Sequence, residues 1–191
     1  MDNYRKTVCF VGHRPENFPW KYYNKNNPFQ KKYFEYVDFL VKKYAERGFI
    51  YFLVAGENGT PLDVAESVLK YRELYPQIRL EIVAPYPTRP NKFNEEERIR
   101  YDKIIKAANA TFCIAEEYTA TCMAETFETM IDRSCEVVIF SSGSNRGCTN
   151  YSIDYAAHKW KHLDIISLPN FLLKETYREF AGELRQRKKE K

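Results

Sequence analysis

Short apolar runs alternate along this chain with stretches whose apolar residues fall at helical spacing. The first run, Thr7 to Val11, stops at Gly12-His13-Arg14-Pro15 and reads as a strand and loop. An irregular segment rich in Asn, Tyr and Pro follows up to Pro28, long enough to suggest a functional loop or lid. From Gln30 to Arg47, Tyr33, Val37, Leu40 and Tyr44 repeat with helical periodicity, and Gly48 supplies the stop. Phe49 to Ala55 is a second strand. A helix from Pro61 to about Leu74 sets Leu62, Ala65, Val68 and Leu69 on one face. Leu80 to Ala84 is a third strand. Asn94, followed by Glu95, Glu96 and Glu97, begins a helix that runs to about Ala108. Ala110–Ala115, Glu136–Phe140 and Leu163–Leu168 are further strands. Helices fall between them, from about Cys122 to Arg133 and from Gly147 through Trp160, and Phe171 to about Gln186 reads as a closing helix.

Strands that are apolar throughout, each followed by a helix, describe a parallel sheet buried on both faces. The predicted fold class is α/β: a Rossmann-like, doubly wound, mainly parallel sheet with helices on both faces. Residues 1–170 form one domain, and residues 171–191 form a C-terminal helix with a basic tail. In such sheets ligands bind outside the carboxyl ends of the strands, near the point where strand order reverses. That directs attention to the loops after the strands.

Two of those loops have the same construction. Ala55-Gly56-Glu57-Asn58-Gly59-Thr60-Pro61-Leu62-Asp63 runs from a strand through a glycine turn into a helix. Thr60 is the expected N-cap, Pro61 the first helical residue and Asp63 the third, where a carboxylate bonds back to the cap. Ser141 to Thr149 repeats the design with Gly143, Asn145, Arg146, Gly147, Thr149 and Asn150. A helix N-terminus after a glycine turn directs free N–H groups at an anion. Each turn also has a plain structural reading as a capped β-to-α connection. In the first loop, Gly12 allows close approach of a ligand, Arg14 suits bidentate pairing with phosphate or carboxylate, and His13 is a further donor. Tyr86 is placed to stack on a base or to pack. Glu57, Asp63 and Glu116 are the carboxylates that hydrolytic chemistry would use. Asp132 and Arg133 read as a local pair or cap.

Composition trims the alternatives. The net charge of +4 is carried by Arg185 to Lys191, which holds five basic residues and one acidic one, so the rest of the chain is neutral. A neutral body argues against a nucleic-acid groove. The 191 residues hold no apolar run of membrane length and no signal-peptide core, and the expected location is cytoplasmic, with no membrane partner. Cys9, Cys113, Cys122, Cys135 and Cys148 show neither zinc spacing nor a disulfide framework, and no metal is expected. Cys9, Cys113 and Cys135 read as core residues. Cys122 and Cys148 lie near helix starts, where a thiol pKa falls.

The block Cys9-Phe10-Val11-Gly12-His13-Arg14-Pro15 resembles the "CFTGHRP" opening of the YspA/YpsA-like (DUF1273) proteins. These are a branch of the SLOG superfamily, relatives of DprA and of the LOG cytokinin-activating enzymes. Pro85-Tyr86-Pro87 is similar to that family's "PFP", Tyr118 and Cys122-Met123 to its "YxxxCM", and Met130 to Ser134 to its "MVDxS". Gly143 to Thr149 is similar to "GxxGGT". The resemblance covers roughly residues 5–168 and implies a Rossmann-like domain that binds a nucleotide or nucleotide derivative, often as a homo-oligomer. This chain departs from the pattern in places. Ala55-Gly56 replaces a double glycine, Thr126-Phe127-Glu128 replaces a cationic run, and Ser152 stands where LOG-type hydrolases carry a glutamate. The resulting expectation is a sensor or sequestering protein for a nucleotide-derived small molecule, without a separate cofactor. The alternatives are N-glycosidic cleavage of a nucleotide and, behind it, single-stranded DNA binding.

Overall fold

The computed structural model describes residues 3–24 and 26–172. The expected closing helix and basic tail lie outside the described residues, apart from Phe171 and Leu172, which end a 3₁₀ turn, Leu168–Leu172. Six parallel strands form one sheet: β1 (Thr7–Val11), β2 (Tyr51–Ala55), β3 (Arg79–Ala84), β4 (Ala110–Cys113), β5 (Glu136–Ser141) and β6 (His162–Ser167), in the order β4-β3-β2-β1-β5-β6. The helices are α1 (Pro28–Glu46), α2 (Thr60–Tyr71), α3 (Glu95–Ala107), α4 (Cys122–Asp132) and α5 (Cys148–His158).

The order explains the two-faced core. From β1 the chain steps outward through β2, β3 and β4, and right-handed crossovers put α1, α2 and α3 on one face. It then returns past β1 to lay down β5 and β6, so α4 and α5 fall on the other. Side chains alternate accordingly. Val8, Phe10, Phe52, Val54, Leu80 and Ile82 pack under α1–α3, whereas Cys9, Val11, Leu53, Ala55, Val137 and Ile139 pack under α4 and α5. Order reverses between β1 and β5, whose register pairs Val11 with Ile139. Their outgoing loops therefore part to opposite faces and leave a crevice at the sheet's carboxyl edge.

The predicted strands and helices that fall within the described residues are present, with corrections at their ends. Helix α1 begins at Pro28, two residues before Gln30, because Asn27 caps it and accepts from the Phe29 N–H (2.9 Å). The cap of α2 is Gly59, not Thr60. Only glycine readily adopts its φ of 83°, and the Thr60 N–H is already donated to the His13 carbonyl (3.0 Å). Asp63 thus lies one residue deeper than a capping position, and its side chain turns inward. Helix α2 ends at Tyr71, whose carbonyl accepts from both Leu74 and Tyr75. The α3 start is the expected one, with a full capping box between Asn94 and Glu97. Strand β4 is shorter than predicted and lies at an edge, which leaves Cys113 exposed rather than in the core. Cys9 is fully buried, and burial pushes its thiol up to about 12. Asp132 and Arg133 do not pair with each other. Asp132 accepts from Tyr155 (3.0 Å) and Arg133 donates to Glu81 (2.5 Å).

Candidate functional site

At the carboxyl edge, the loops after β1 and β5 enclose a cleft of about 330 Å³. Gly12, His13 and Arg14 come from the first loop. Ser142, Arg146, Gly147 and Thr149 come from the second, Glu57 from the turn after β2, and Met123 and Phe127 from α4. The cleft therefore has an apolar floor on α4, two arginines on its walls and one carboxylate.

The second loop is shaped by its glycines. Gly143 and Gly147 have φ of 79° and 88°, and no atom lies within 4 Å of where a Cβ would stand. Backbone conformation alone requires glycine there, and the space beside it is open. Gly147 caps α5 without a side-chain hydrogen bond, so the first N–H groups of an 11-residue helix meet the cleft with no side-chain acceptor on them. Arg14 pairs loosely with Glu16 at 3.4 Å, and its side chain is half exposed.

His13 ties the two loops together. Its Nε2 accepts from the Ser142 N–H (2.8 Å), which leaves the proton on Nδ1, 3.4 Å from the Thr149 hydroxyl. Burial lowers its pKa below the usual 6.5, in keeping with a neutral ring that must accept on one side. The residue expected as a ligand donor is thus already engaged at both nitrogens.

Glu57 is 3% exposed and held in a bidentate pair by Arg89, whose Nη2 lies 2.7 Å from Oε2 and whose Nε meets Oε1. Arg89 in turn lies over the Phe93 ring. Among Glu57, Asp63 and Glu116, Glu57 is the one that lines the cleft. Asp63 is buried elsewhere. It accepts from Tyr22 (2.5 Å), Tyr33 (2.9 Å) and Arg100 (2.7 Å), while burial raises its pKa against the pull of that arginine. It anchors the Tyr22 loop to the body. Glu116 is exposed on the loop after β4.

The turn after β2 is filled by the protein itself. A Cβ on Gly59 would lie 2.4 Å from the His13 carbonyl, and one on Gly12 would meet the Thr60 side chain at 2.5 Å. A Cβ on Gly56 would stand 2.9 Å from the Ala84 backbone. These glycines serve close packing between loops. Asn58 turns away from the cleft to Glu97 (2.6 Å). Tyr86 is buried edge-on against Tyr118, so it packs rather than presenting a free face. Gly143, Asn145 and Asn150 belong to the β5–α5 segment but do not line the cleft. Cys148 sits at the rim, where desolvation pushes its thiol up rather than down. Arg89 and Ser142 carry no signal of their own in the sequence, and Met123 and Phe127 stand out there as motif positions rather than as cleft residues. Arg89 stands in an ordinary Thr-Arg-Pro turn, and its partner is 32 positions away.

Comparison with known proteins adds to this geometry. The model of the YspA SLOG family matches residues 8–168. The chain belongs to that family. A UPF0398 protein of Macrococcus caseolyticus is 21% identical over 169 residues, covering 85% of this chain and 91% of the relative. A UPF0398 protein of Staphylococcus haemolyticus is 27% identical over 104 residues, 54% of each chain. Among solved structures, DNA processing protein A from Helicobacter pylori, described for its single-stranded DNA binding, superposes with a TM-score of 0.57 at 14% identity. That match covers 94% of this chain and 80% of the other, and it shows a shared fold. Both glycine turns and the Gly12-His13-Arg14-Pro15 block lie within the matched residues and meet at one sheet edge. Among the described residues no helix is long and apolar enough to cross a membrane, and no group of His, Cys, Asp or Glu is arranged to hold a metal.

Proposed function

We propose that this YspA SLOG protein binds a nucleotide or nucleotide-derived small molecule in the cleft between the β1 and β5 loops, as a cytoplasmic sensor or sequestering protein that assembles as a homo-oligomer. The observation that carries the reading is the meeting of Arg14, Arg146 and the uncapped start of α5 at the strand-order reversal. Three sources of positive potential converge on a site the size of one small anion with an attached ring. The apolar floor of Met123 and Phe127 suits a base or a sugar face, and the Glu57 carboxylate can accept from ribose hydroxyls. AMP, ADP-ribose and NAD each test the proposal by thermal shift. At least one is expected to raise the melting temperature of the wild type and to fail with Arg14→Ala. If none shifts it, and native mass spectrometry of the purified protein finds no ligand removed by Arg14→Ala, the cleft is not a nucleotide site. The same spectra report subunit number.

A second reading rests on Glu57, the carboxylate that reaches the cleft. An N-glycosidase would use such a group to stabilise developing positive charge on the sugar or to activate water. Base release from AMP or NAD that disappears in Glu57→Gln, with the fold intact by circular dichroism, would replace binding by catalysis. Ser152 has its hydroxyl on the Cys148 carbonyl and is buried, so it does not substitute for a glutamate of LOG type. Single-stranded DNA binding, as in the Helicobacter pylori protein, predicts an affinity that falls steeply with salt and survives deletion of residues 185–191.

A further inference from the structure

Strands β4 and β6 are the edges of the sheet, and the two are built differently. Strand β4 has four residues, and Arg133 lies over its Phe112 ring. Strand β6 has six, and all six are in register with β5. Among the described residues no strand pairs with its outer side. That side therefore presents backbone N–H and C=O groups for pairing, together with Ile165, which is 48% exposed. The approach to β6 is unusual too. Helix α5 closes with the Trp160 N–H on the Ala157 carbonyl (3.1 Å) and the Lys161 N–H on the Ala156 carbonyl (3.1 Å). In such a helix end the residue after the cap is left-handed, and glycine usually holds the place. Here it is Trp160, with φ of 53°, the one non-glycine residue of positive φ among the described residues. It is 95% exposed. The backbone thus bears strain that holds a large apolar side chain in open solvent, immediately before an open edge.

The order of charges along β6 selects what can cover it. Ile166 packs with the α1–α3 face and Leu163 with the α4–α5 face, so His162 and Asp164 share the side of Ile166, and Ile165 shares that of Leu163. An open edge strand is complementary to a second copy of itself, running antiparallel about a two-fold axis. Centred on Asp164, that pairing opposes two carboxylates, and centred on His162 it opposes two imidazoles. Centred on Ile165, it sets Asp164 against Ile166. Centred on Leu163, it sets Leu163 against its own copy and each His162 against the partner's Asp164, so unlike groups meet twice. His162 is free to take part: its side chain is 70% exposed, with Nδ1 3.6 Å from Glu136 on the neighbouring strand. Lys161 turns to its own body, donating to the Ser134 carbonyl (2.9 Å), which leaves Trp160 as the side chain that meets the partner's Ile165.

We propose that the β6 edge is the contact between two copies of this chain, paired antiparallel about Leu163, with each Trp160 laid against the partner's Ile165. The inference gives a surface to the homo-oligomer of the proposed function and rests on that part of it; it is independent of the nucleotide reading of the cleft. Analytical ultracentrifugation of the full chain over a concentration series tests it. The wild type is expected to dimerise reversibly. Trp160→Gly is expected to weaken the dimer by about tenfold or more, as loss of an aromatic anchor does. The same variant should raise the melting temperature of the dilute monomer, because glycine adopts this backbone conformation freely. Ile165→Lys should weaken the dimer likewise and leave the monomer's melting temperature unchanged. Leu163→Cys, oxidised with diamide, is expected to give a covalent dimer where the wild type gives none. Arg14→Ala, at the cleft, should dimerise as the wild type does. A wild type that stays monomeric throughout removes this surface and the homo-oligomer together. A dimer that either Trp160→Gly or Ile165→Lys leaves as tight as the wild type, that Leu163→Cys does not cross-link, or that Arg14→Ala abolishes removes the surface alone.

Discussion

The turns after β2 and β5 are alike in design and opposite in use. Both leave a strand, pass through a glycine-bearing turn and enter a helix capped by a glycine of positive φ, Gly59 or Gly147, without a side-chain bond. The β2 turn is closed: the His13 carbonyl takes the Thr60 N–H, Gly59 presses against His13 and Arg14, and Arg89 clamps Glu57. The β5 turn is open: the positions beside Gly143 and Gly147 are empty, and α5 begins at the cleft wall. A strand–glycine–helix motif is thus a geometry that either a ligand or a neighbouring loop can fill. Occupancy by backbone turns an anion site into a structural joint.

The comparison breaks first at Glu57. Its removal leaves Arg89, only 10% exposed in its side chain, as an uncompensated buried charge. Glu57→Ala is expected to cost about 3–5 kcal/mol in urea unfolding, the range for breaking a buried pair. Unfolding unchanged within about 0.5 kcal/mol would show that the β2 turn is not a closed joint. Next are the cap glycines. Both carry backbone strain of about 1–3 kcal/mol when replaced. Gly59→Ala adds overlap with the His13 carbonyl, about 1–3 kcal/mol more. Gly59→Ala should therefore lower stability by a clearly larger amount than Gly147→Ala. Equal losses would remove the packing distinction between the two turns.

Arg14 and Arg146 sharpen the contrast from the open side. Neither is buried, so alanine at either position should change stability by less than about 0.5 kcal/mol. Each charge-assisted bond to a phosphate is worth about 1.5–3 kcal/mol, so nucleotide affinity should fall by roughly 10- to 100-fold. Isothermal titration with whichever nucleotide stabilises the wild type measures it. A variant that unfolds more easily and still binds normally would reverse the assignment of the two turns.

Much of this was legible in the residues, and the failures have a common cause. The periodicity of α1 to α5 and the apolar runs of β1 to β6 placed the five helices and six strands, because burial of one helix face and both sheet faces is written locally. The alternation of strand and helix pointed to the carboxyl edge but carried no strand order, so five loops stayed candidates until the order placed the reversal between β1 and β5. The meaning of Gly56, Gly59 and Asp63 was not legible. Gly59 looks like Gly147 until His13 is brought against it across 46 positions, and Asp63 looks like a capping acid until Tyr22, Tyr33 and Arg100 surround it. Tyr86 reads as a stacking platform until Tyr118 covers it. Local chemistry proposes a site, but long-range packing decides which groups remain free.

The smallest expected effect concerns His13, which joins the closed turn to the open one. Its carbonyl holds α2 and its ring accepts from Ser142 at the β5 loop. Protonation of Nε2 removes that acceptor, and burial opposes the added charge, so the folded-state pKa lies below 6.5. With the folded value depressed, the unfolded chain binds the proton more readily. The contribution is therefore fully present above pH 6.5 and is lost as pH falls from there through the folded value, by at most about 1.4 kcal/mol per pH unit. Wild type and His13→Asn should accordingly converge in unfolding free energy between pH 7.5 and pH 5. The β5 loop is the side of the contact released, so nucleotide affinity should decline over the same interval while the Glu57–Arg89 pair stays intact. A pH-independent difference between the two proteins would mean that the ring does not hold the loops together.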